Sequence, residues 1–144
     1  MLQSGRGVDN NFRRTDWLYR RCVKEDIEGD RFIPARISYD DTSVNWSKYS
    51  RPWDVIFDYP AQGVARWIVS DLPTDLPENP PPKTTVEMHD FRPLHAPLEH
   101  NYSHTEIQVY RSGQPLQRLS SNLVKKQFRT IMGESSFVLI PPKI

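Results

Sequence analysis

The chain has 144 residues, 37 % of them hydrophobic and 11 % aromatic, and its formal net charge at pH 7 is +1. This composition supplies one hydrophobic core and lacks the strong positive charge of a dedicated nucleic-acid domain. A single cysteine excludes an intrachain disulfide, and the longest apolar stretch, Phe137 to Ile140, is far shorter than the roughly 20 residues of a membrane-spanning helix. We therefore expect one cytoplasmic domain with no membrane partner.

The first part of the chain begins with a polar segment and contains two short candidate elements. Residues 1–11 are rich in Gly, Gln, Asn and Asp and lack the apolar region of a secretory signal, which predicts a flexible leader. The apolar residues of segment 16–27 fit a helical face and strand alternation equally well, so both remain open. Segment 31–39 is typical of an edge or bulged strand, because Pro34 cannot donate a ladder hydrogen bond.

The middle of the chain predicts a short helix, a strand and a connector. Ser50 and Pro52 are typical of a helix N-terminus, which predicts a helix over 53–59. Residues 64–69 alternate and are rich in β-branched and aromatic side chains, which predicts a strand. Segment 71–82 contains five prolines; it favours an extended surface connector, with docking to a proline-binding groove as the alternative.

The last part predicts two strands, a helix and a final strand. Segments 84–89 and 104–110 alternate as half-buried strands do. Ser120 or Ser121 is placed to cap a helix that ends near Gly133. The apolar face of this helix would comprise Leu123, Val124, Phe128 and Ile131. With a last strand over 136–140, residues 12–144 are predicted to form one α+β domain, a mixed or antiparallel sheet with two or three helices.

All four histidines lie within the sixteen residues from 89 to 104. Imidazole and carboxylate groups suit zinc, manganese or iron, so His95, His100, His104 and Asp90 form a candidate site for a divalent transition metal. Such a site would serve a metal-dependent hydrolase or nuclease. The polar residues between His100 and His104 favour a turn, and no glutamate follows His100 as the zinc-protease pattern requires.

A second hypothesis for the histidines needs no metal. His104 and Glu106 are two residues apart on one strand face, so Glu106 could orient His104 as a general acid or base. The structural alternative is that these histidines bond backbone groups or solvent. The sequence has no phosphate-binding glycine loop, nucleophile elbow or cysteine pair. These observations favour a role other than catalysis.

Two further groups of residues are candidates for binding macromolecules. Four arginines interleave with aromatic residues near the start of the chain, namely Arg13, Arg14, Arg20 and Arg21. This composition is used to bind phosphates and stack bases, although the rings also suit a core with the arginines extending past them. Trp46, Tyr49 and Arg51 are residue types that dominate protein interfaces, and they form a candidate protein contact.

Four motifs follow one another along the chain: Trp17-Leu18-Tyr19-Arg20-Arg21, Ser43-Val44-Asn45-Trp46, Gly63-Val64-Ala65 and the stretch from His100 to His104. In this layout the chain resembles small uncharacterised bacterial proteins that often occur beside mobile-element or defence genes. The resemblance implies a bacterial intracellular origin and an accessory role. It transfers no activity and no catalytic residue.

We therefore expect an intracellular module that binds a macromolecule, with a protein as the favoured partner and RNA or DNA as the alternative. Under this hypothesis no cofactor is needed, whereas the hydrolase or nuclease alternative requires a divalent transition metal. The partner's identity and the oligomeric state remain open.

Overall fold

The computed structural model describes residues 7–38, 42–78, 87–119 and 121–143. The strands in these ranges are β1 (Trp17–Val23), β2 (Ile27–Glu28), β3 (Arg31–Phe32), β4 (Thr42–Trp46), β5 (Gln62–Ile68), β6 (Leu76–Pro77), β7 (Met88–His95), β8 (His104–Arg111), β9 (Gln114–Pro115) and β10 (Phe137–Ile140). The one α-helix in them, α1, spans Asn122–Ser135. Short 3-10 turns occur at Lys24–Asp26, Pro34–Arg36, Pro52–Val55 and Val69–Asp71.

Eight strands form one sheet that curls into a half-barrel. Its order is β10-β5-β1-β4-β8-β7-β6, with β9 paired to β8, and its strand pairs are antiparallel. Strands β2 and β3 form a separate two-stranded hairpin. Helix α1 packs beside β3, β6 and the turns that follow β3 and β5.

The prediction of an α+β fold with two or three helices is wrong, because the described chain is dominated by sheet and contains one helix. The predicted helix over 53–59 is only the four-residue turn Pro52–Val55. An isolated helix this short cannot offset the cost of nucleation. Segment 16–27, which fitted both periodicities, is strand β1 followed by a 3-10 turn.

The predicted helix near the C-terminus is confirmed. The side chain of Ser121 caps α1 by accepting a hydrogen bond from the backbone N–H of Val124 at 3.3 Å. Val124, Phe128 and Met132 are completely buried, and the Phe128 ring stacks on Phe91 with 4.1 Å between centroids. Burial of this apolar stripe fixes the helix against the sheet.

Strand alternation divides the sheet into two faces. Leu18, Val44, Trp46, Trp67 and Ile107 are at most 1 % exposed and face the main core with α1. On the opposite face, a smaller cluster of Tyr19, Val55 and Val64 is covered by the turn Pro52–Val55. In β4 and β8, for example, alternate residues are buried in the main core, and the residues between them face the other side of the sheet.

Several expected segments differ in extent from the observed elements. The strand expected over 31–39 stops at Phe32, because Pro34 begins a 3-10 turn, and residue 39 lies outside the described ranges. In the proline-rich segment 71–82, Leu76–Pro77 pairs with β7, and residues 79–82 are not described. The strand expected from residue 84 is described from Met88 onward, with His89 and Phe91 turned inward.

The ladder between β1 and β4 is short, and this creates an opening in the sheet. Its register contains the pairs Leu18↔Trp46 and Tyr19↔Asn45. Beyond them β1 continues beside β5 for seven pairs in all, while β4 continues beside β8. The two strands therefore diverge from Arg20 onward, and the side chains at this divergence line the cleft described below.

Candidate ligand-binding cleft

A cleft of about 1000 Å³ opens at the divergence of β1 and β4. Arg20 and Arg21 of β1 and Ser43 and Asn45 of β4 line it, together with the loop before β8. Ser43 and Asn45 alternate with buried core residues of β4 and therefore point away from the main core. Three of the four motif segments, those containing Arg20, Ser43 and His104, border this one cleft.

The two cleft arginines are held by backbone carbonyl groups. Arg20 Nη1 donates to the Ser43 carbonyl oxygen at 2.7 Å, and Arg21 Nη1 donates to that of Val55 at 3.4 Å. Burial lowers the pKa of Arg20, and the charge of Asp26 offsets this effect only in part. Within the described ranges, neither arginine makes an ion pair; Asp26 itself pairs with Arg36 at 3.1 Å.

His104 lies in the cleft with both ring nitrogens engaged. Nδ1 is 2.8 Å from the carbonyl oxygen of Ala96, and Nε2 is 3.3 Å from Ser43 Oγ. Among the hydrogen bonds of the described residues, none joins His104 to Glu106. The predicted pair shares a strand face, but Ser43 is the side chain that His104 contacts.

His95 is buried on the other side of the sheet. Its Nδ1 accepts from the backbone N–H of Asp9 at 2.8 Å, and its Nε2 lies 2.6 Å from the carbonyl oxygen of Tyr102. These bonds give His95 a structural role at the end of the core, where its ring also stacks on Tyr49. His95 and His104 are therefore not brought together.

The remaining predicted metal ligands are also separated. Asp90 is paired with Tyr110, six residues along β8 from His104, which corresponds to roughly 20 Å of strand. Its carboxylate contacts Arg92 at 3.3 Å. His100 lies exposed at the rim of the cleft. In the part of the chain that the structure describes, no group of three or more His, Cys, Asp or Glu could hold a metal ion.

The predicted protein-contact residues have different environments. Trp46 is completely buried, and its indole Nε1 donates to Asp16 Oδ2 at 3.0 Å, so the ring belongs to the core. The Tyr49 hydroxyl donates to Asp9 Oδ2, and Arg51 is exposed. A protein partner at this surface stays a prediction.

The predicted nucleic-acid segment is divided between two places. Arg20 and Arg21 line the cleft, whereas Arg13 and Arg14 are exposed in the turn that precedes β1. The end of that turn and the first three residues of β1, Trp17 to Tyr19, separate the two pairs. The four arginines do not form one continuous surface along β1.

Sequence reasoning missed the polar network on the cleft wall. Asn101 Nδ2 donates to Asn45 Oδ1 at 2.7 Å, and Ser103 Oγ donates to the same oxygen at 3.0 Å. The polar alternation of Ser43 and Asn45 within β4 was the available signal. It did not identify their partners, which lie 56 to 61 residues away in sequence.

No protein-family model matches the chain, and no curated protein and no solved structure does so either. Within the described ranges, no helix has both the length and the apolar character needed to cross a membrane.

Proposed function

We propose that the protein binds a phosphate-bearing ligand of nucleotide size in the cleft. The observation that carries this proposal is the Arg20 guanidinium, which is half-buried and has no carboxylate ion pair among the described residues, and whose pKa is lowered by desolvation. Removing a cation from water is costly unless a counter-charge accompanies it. A bound anion would supply that charge.

The chemistry of the site favours phosphate as the anion. A guanidinium carries five N–H donors in a planar arrangement that matches phosphate oxygens. Arg20 uses one of its nitrogens on Ser43, and Arg21 uses one on Val55. Arg20 and Arg21 are consecutive in β1 and leave the strand on opposite faces, but both side chains line the cleft, where their other donors are available to a phosphate group.

An aromatic surface lies beside the arginines. Phe57 is 79 % exposed, lines the cleft, and stacks against the Arg21 guanidinium at 4.4 Å from the ring centroid. Exposed rings next to a phosphate site are suited to stacking on a nucleobase. The cleft volume of about 1000 Å³ also lies at the upper end of the range of small-molecule sites.

Isothermal titration with ADP, AMP, adenosine and inorganic phosphate tests this proposal. We expect ADP and AMP to bind and adenosine to bind at least tenfold more weakly. Because charged hydrogen bonds contribute about 1.5–3 kcal/mol, Arg20→Gln and Arg21→Gln should each weaken ADP binding roughly 10- to 100-fold.

Arg92→Gln is the matched control, because Arg92 is an exposed arginine on β7 that already pairs with Asp90. The affinity of Arg92→Gln for ADP should be within twofold of that of the wild type. Thermal melts without ligand separate loss of binding from loss of folding. If ADP does not bind at millimolar concentration, or binds equally to both arginine variants and the wild type, the proposal is wrong.

A further inference from the structure

We infer that Ser43 and His104 form a nucleophile and general-base pair that hydrolyses a carboxylic ester bound in the cleft. The inference rests on the proposed function for the position of the substrate, whose phosphate would lie on the arginine pair. The pairing itself rests on the hydrogen bonds of His104 and on the position of Ser43.

The bond to Ala96 determines which nitrogen of His104 carries the proton. A carbonyl oxygen can only accept, so Nδ1, 2.8 Å from the Ala96 oxygen, is the protonated nitrogen of the neutral ring. Nε2 then has a free lone pair, and Ser43 Oγ donates to it over 3.3 Å. The backbone carbonyl thus holds the imidazole as the aspartate does in serine hydrolases.

The strand register brings the two side chains together on rigid elements. Asn45 pairs with His104 and Ser43 with Glu106 on adjacent antiparallel strands, so Ser43 and His104 are diagonal neighbours on one face. Ser43 is exposed to the cleft, and His104 is half-buried. A substrate can therefore reach Oγ while the imidazole stays fixed.

Arg20 places positive charge next to the nucleophile. Its Nη1 donates to the carbonyl oxygen of Ser43 itself at 2.7 Å. This bond fixes the Arg20 guanidinium beside the backbone of Ser43. Positive charge close to the nucleophile favours the negative charge that develops in the tetrahedral intermediate.

The reaction would proceed in two balanced steps. Ser43 Oγ attacks the ester carbonyl carbon while His104 Nε2 takes its proton; the bond to the leaving alcohol then breaks, and the alcohol receives that proton from His104. A water molecule, deprotonated by His104, next attacks the acyl-serine. The carboxylic acid leaves, Ser43 regains its proton, and the net change is ester plus water to acid plus alcohol.

A fluorophosphonate probe tests the pair directly, because it reacts covalently with activated serines. We expect the full-length wild type to be labelled on Ser43, identified by peptide mass spectrometry. Ser43→Ala should abolish this labelling. His104→Ala and the more conservative His104→Gln should each slow it at least tenfold, since both remove the base. Ser70→Ala, an exposed serine away from the cleft, should react like the wild type.

Absence of label on Ser43 in the wild type, or equal labelling rates in the folded His104 variants, would overturn the inference. ADP titration of Ser43→Ala distinguishes this failure from failure of the proposed function. If ADP binds but the wild type is not labelled, the cleft binds a ligand and Ser43 is not a nucleophile. If Ser43 is labelled in a His104-dependent way but ADP does not bind, the nucleophile and base pair is supported and the phosphate site is rejected.

Discussion

Asp9 illustrates how single side chains connect the N-terminal residues to the sheet. Its carboxylate accepts hydrogen bonds from Lys48 Nζ at 2.6 Å and from the hydroxyl of Tyr49. These donors hold the pKa of Asp9 well below its ordinary value of 3.8. Because the bond also favours the protonated phenol, the pKa of Tyr49 is raised.

The lowered pKa predicts a loss of stability in acid. A carboxyl group whose pKa is lower in the folded state stabilises the fold when ionised. This contribution is complete well above the unfolded pKa of about 3.9, begins to fall below about pH 5, and is lost only as the pH approaches the lower folded pKa. Asp9→Asn should therefore be less stable than the wild type at pH 7, with a smaller difference at pH 3. Urea unfolding at both pH values measures this.

Asp58→Asn provides the comparison for Asp9→Asn, because Asp58 is exposed and makes no ion pair within the described ranges. Asp58→Asn should show the same change in the free energy of unfolding between pH 3 and pH 7 as the wild type. If the free energies of unfolding of Asp9→Asn and the wild type differ by the same amount at pH 3 and pH 7, ionisation of Asp9 does not contribute to stability.

The sequence predicted some of the residues of the cleft but not which side chains contact one another. His104 stood out because it belongs to the one histidine cluster and lies on an alternating strand. Its observed neighbour, Ser43, is 61 residues earlier, and only the β4–β8 register brings them together. Glu106 satisfied the local spacing, but local spacing does not determine which side chain a ring contacts.

At the scale of elements, Gly63 of β5 lies in close contact with the end of β10 and with Pro142. A Cβ atom on Gly63 would collide with the carbonyl oxygen of Ile140 and would lie 2.7 Å from the ring of Pro142. Beside Gly63, the register of the pairing between β5 and β10 shifts between Val138 and Ile140. The glycine thus permits an irregular pairing that a side chain would prevent.

Gly63→Ala should therefore separate β10 from β5 and destabilise the protein by about 1–3 kcal/mol or more, since the obstructing atom is main-chain oxygen and cannot rotate away. Chemical denaturation measures the change in the free energy of unfolding. Gly7→Ala, where no atom lies within 4 Å of the added Cβ, should have little effect. Equal stability of the two variants would show that β10 adapts without cost.

Elements with a strong local signal were predictable, and those that depend on distant partners were not. Helix α1 has a capping serine and an apolar stripe, and β8 alternates cleanly with Thr105, Ile107 and Val109 inward. The segment around Trp53 has a proline near a helix start but no apolar stripe long enough to continue it. Its single turn packs on β1 instead, a contact that no local pattern indicates.

At the scale of the whole molecule, residues 7–12 link distant parts of the fold. The backbone carbonyl of Gly7 accepts from the hydroxyl of Tyr102, and the Phe12 ring stacks on Trp46 with 3.8 Å between centroids. These residues thus contact β4 and the loop before β8. The flexibility expected of the first eleven residues stays a prediction, and residues 1–6 are outside the described ranges.

Phe12→Ala should expose one face of the core indole. We expect the free energy of unfolding to fall by about 2 kcal/mol, less than the ~3–5 kcal/mol for a fully buried phenylalanine. The tryptophan emission should also shift to longer wavelength as water reaches Trp46. Phe57→Ala, at a ring that is 79 % exposed, should change stability little. An unchanged emission maximum in Phe12→Ala would show that other groups cover Trp46.

The divergence of β1 and β4 also makes the cleft accessible to redesign. The exposed Ser43 and half-buried Asn45 alternate with the core residues of β4, and β4 keeps its ladder to β8. Replacing Ser43 would alter the cleft wall without removing a core contact or a backbone bond of that ladder, whereas replacing Asn45 would also remove the hydrogen bonds that its Oδ1 accepts from Asn101 and Ser103. Ligand preference and fold stability can thus vary at separate positions of one strand, so a library randomised at the cleft positions should yield mostly folded proteins.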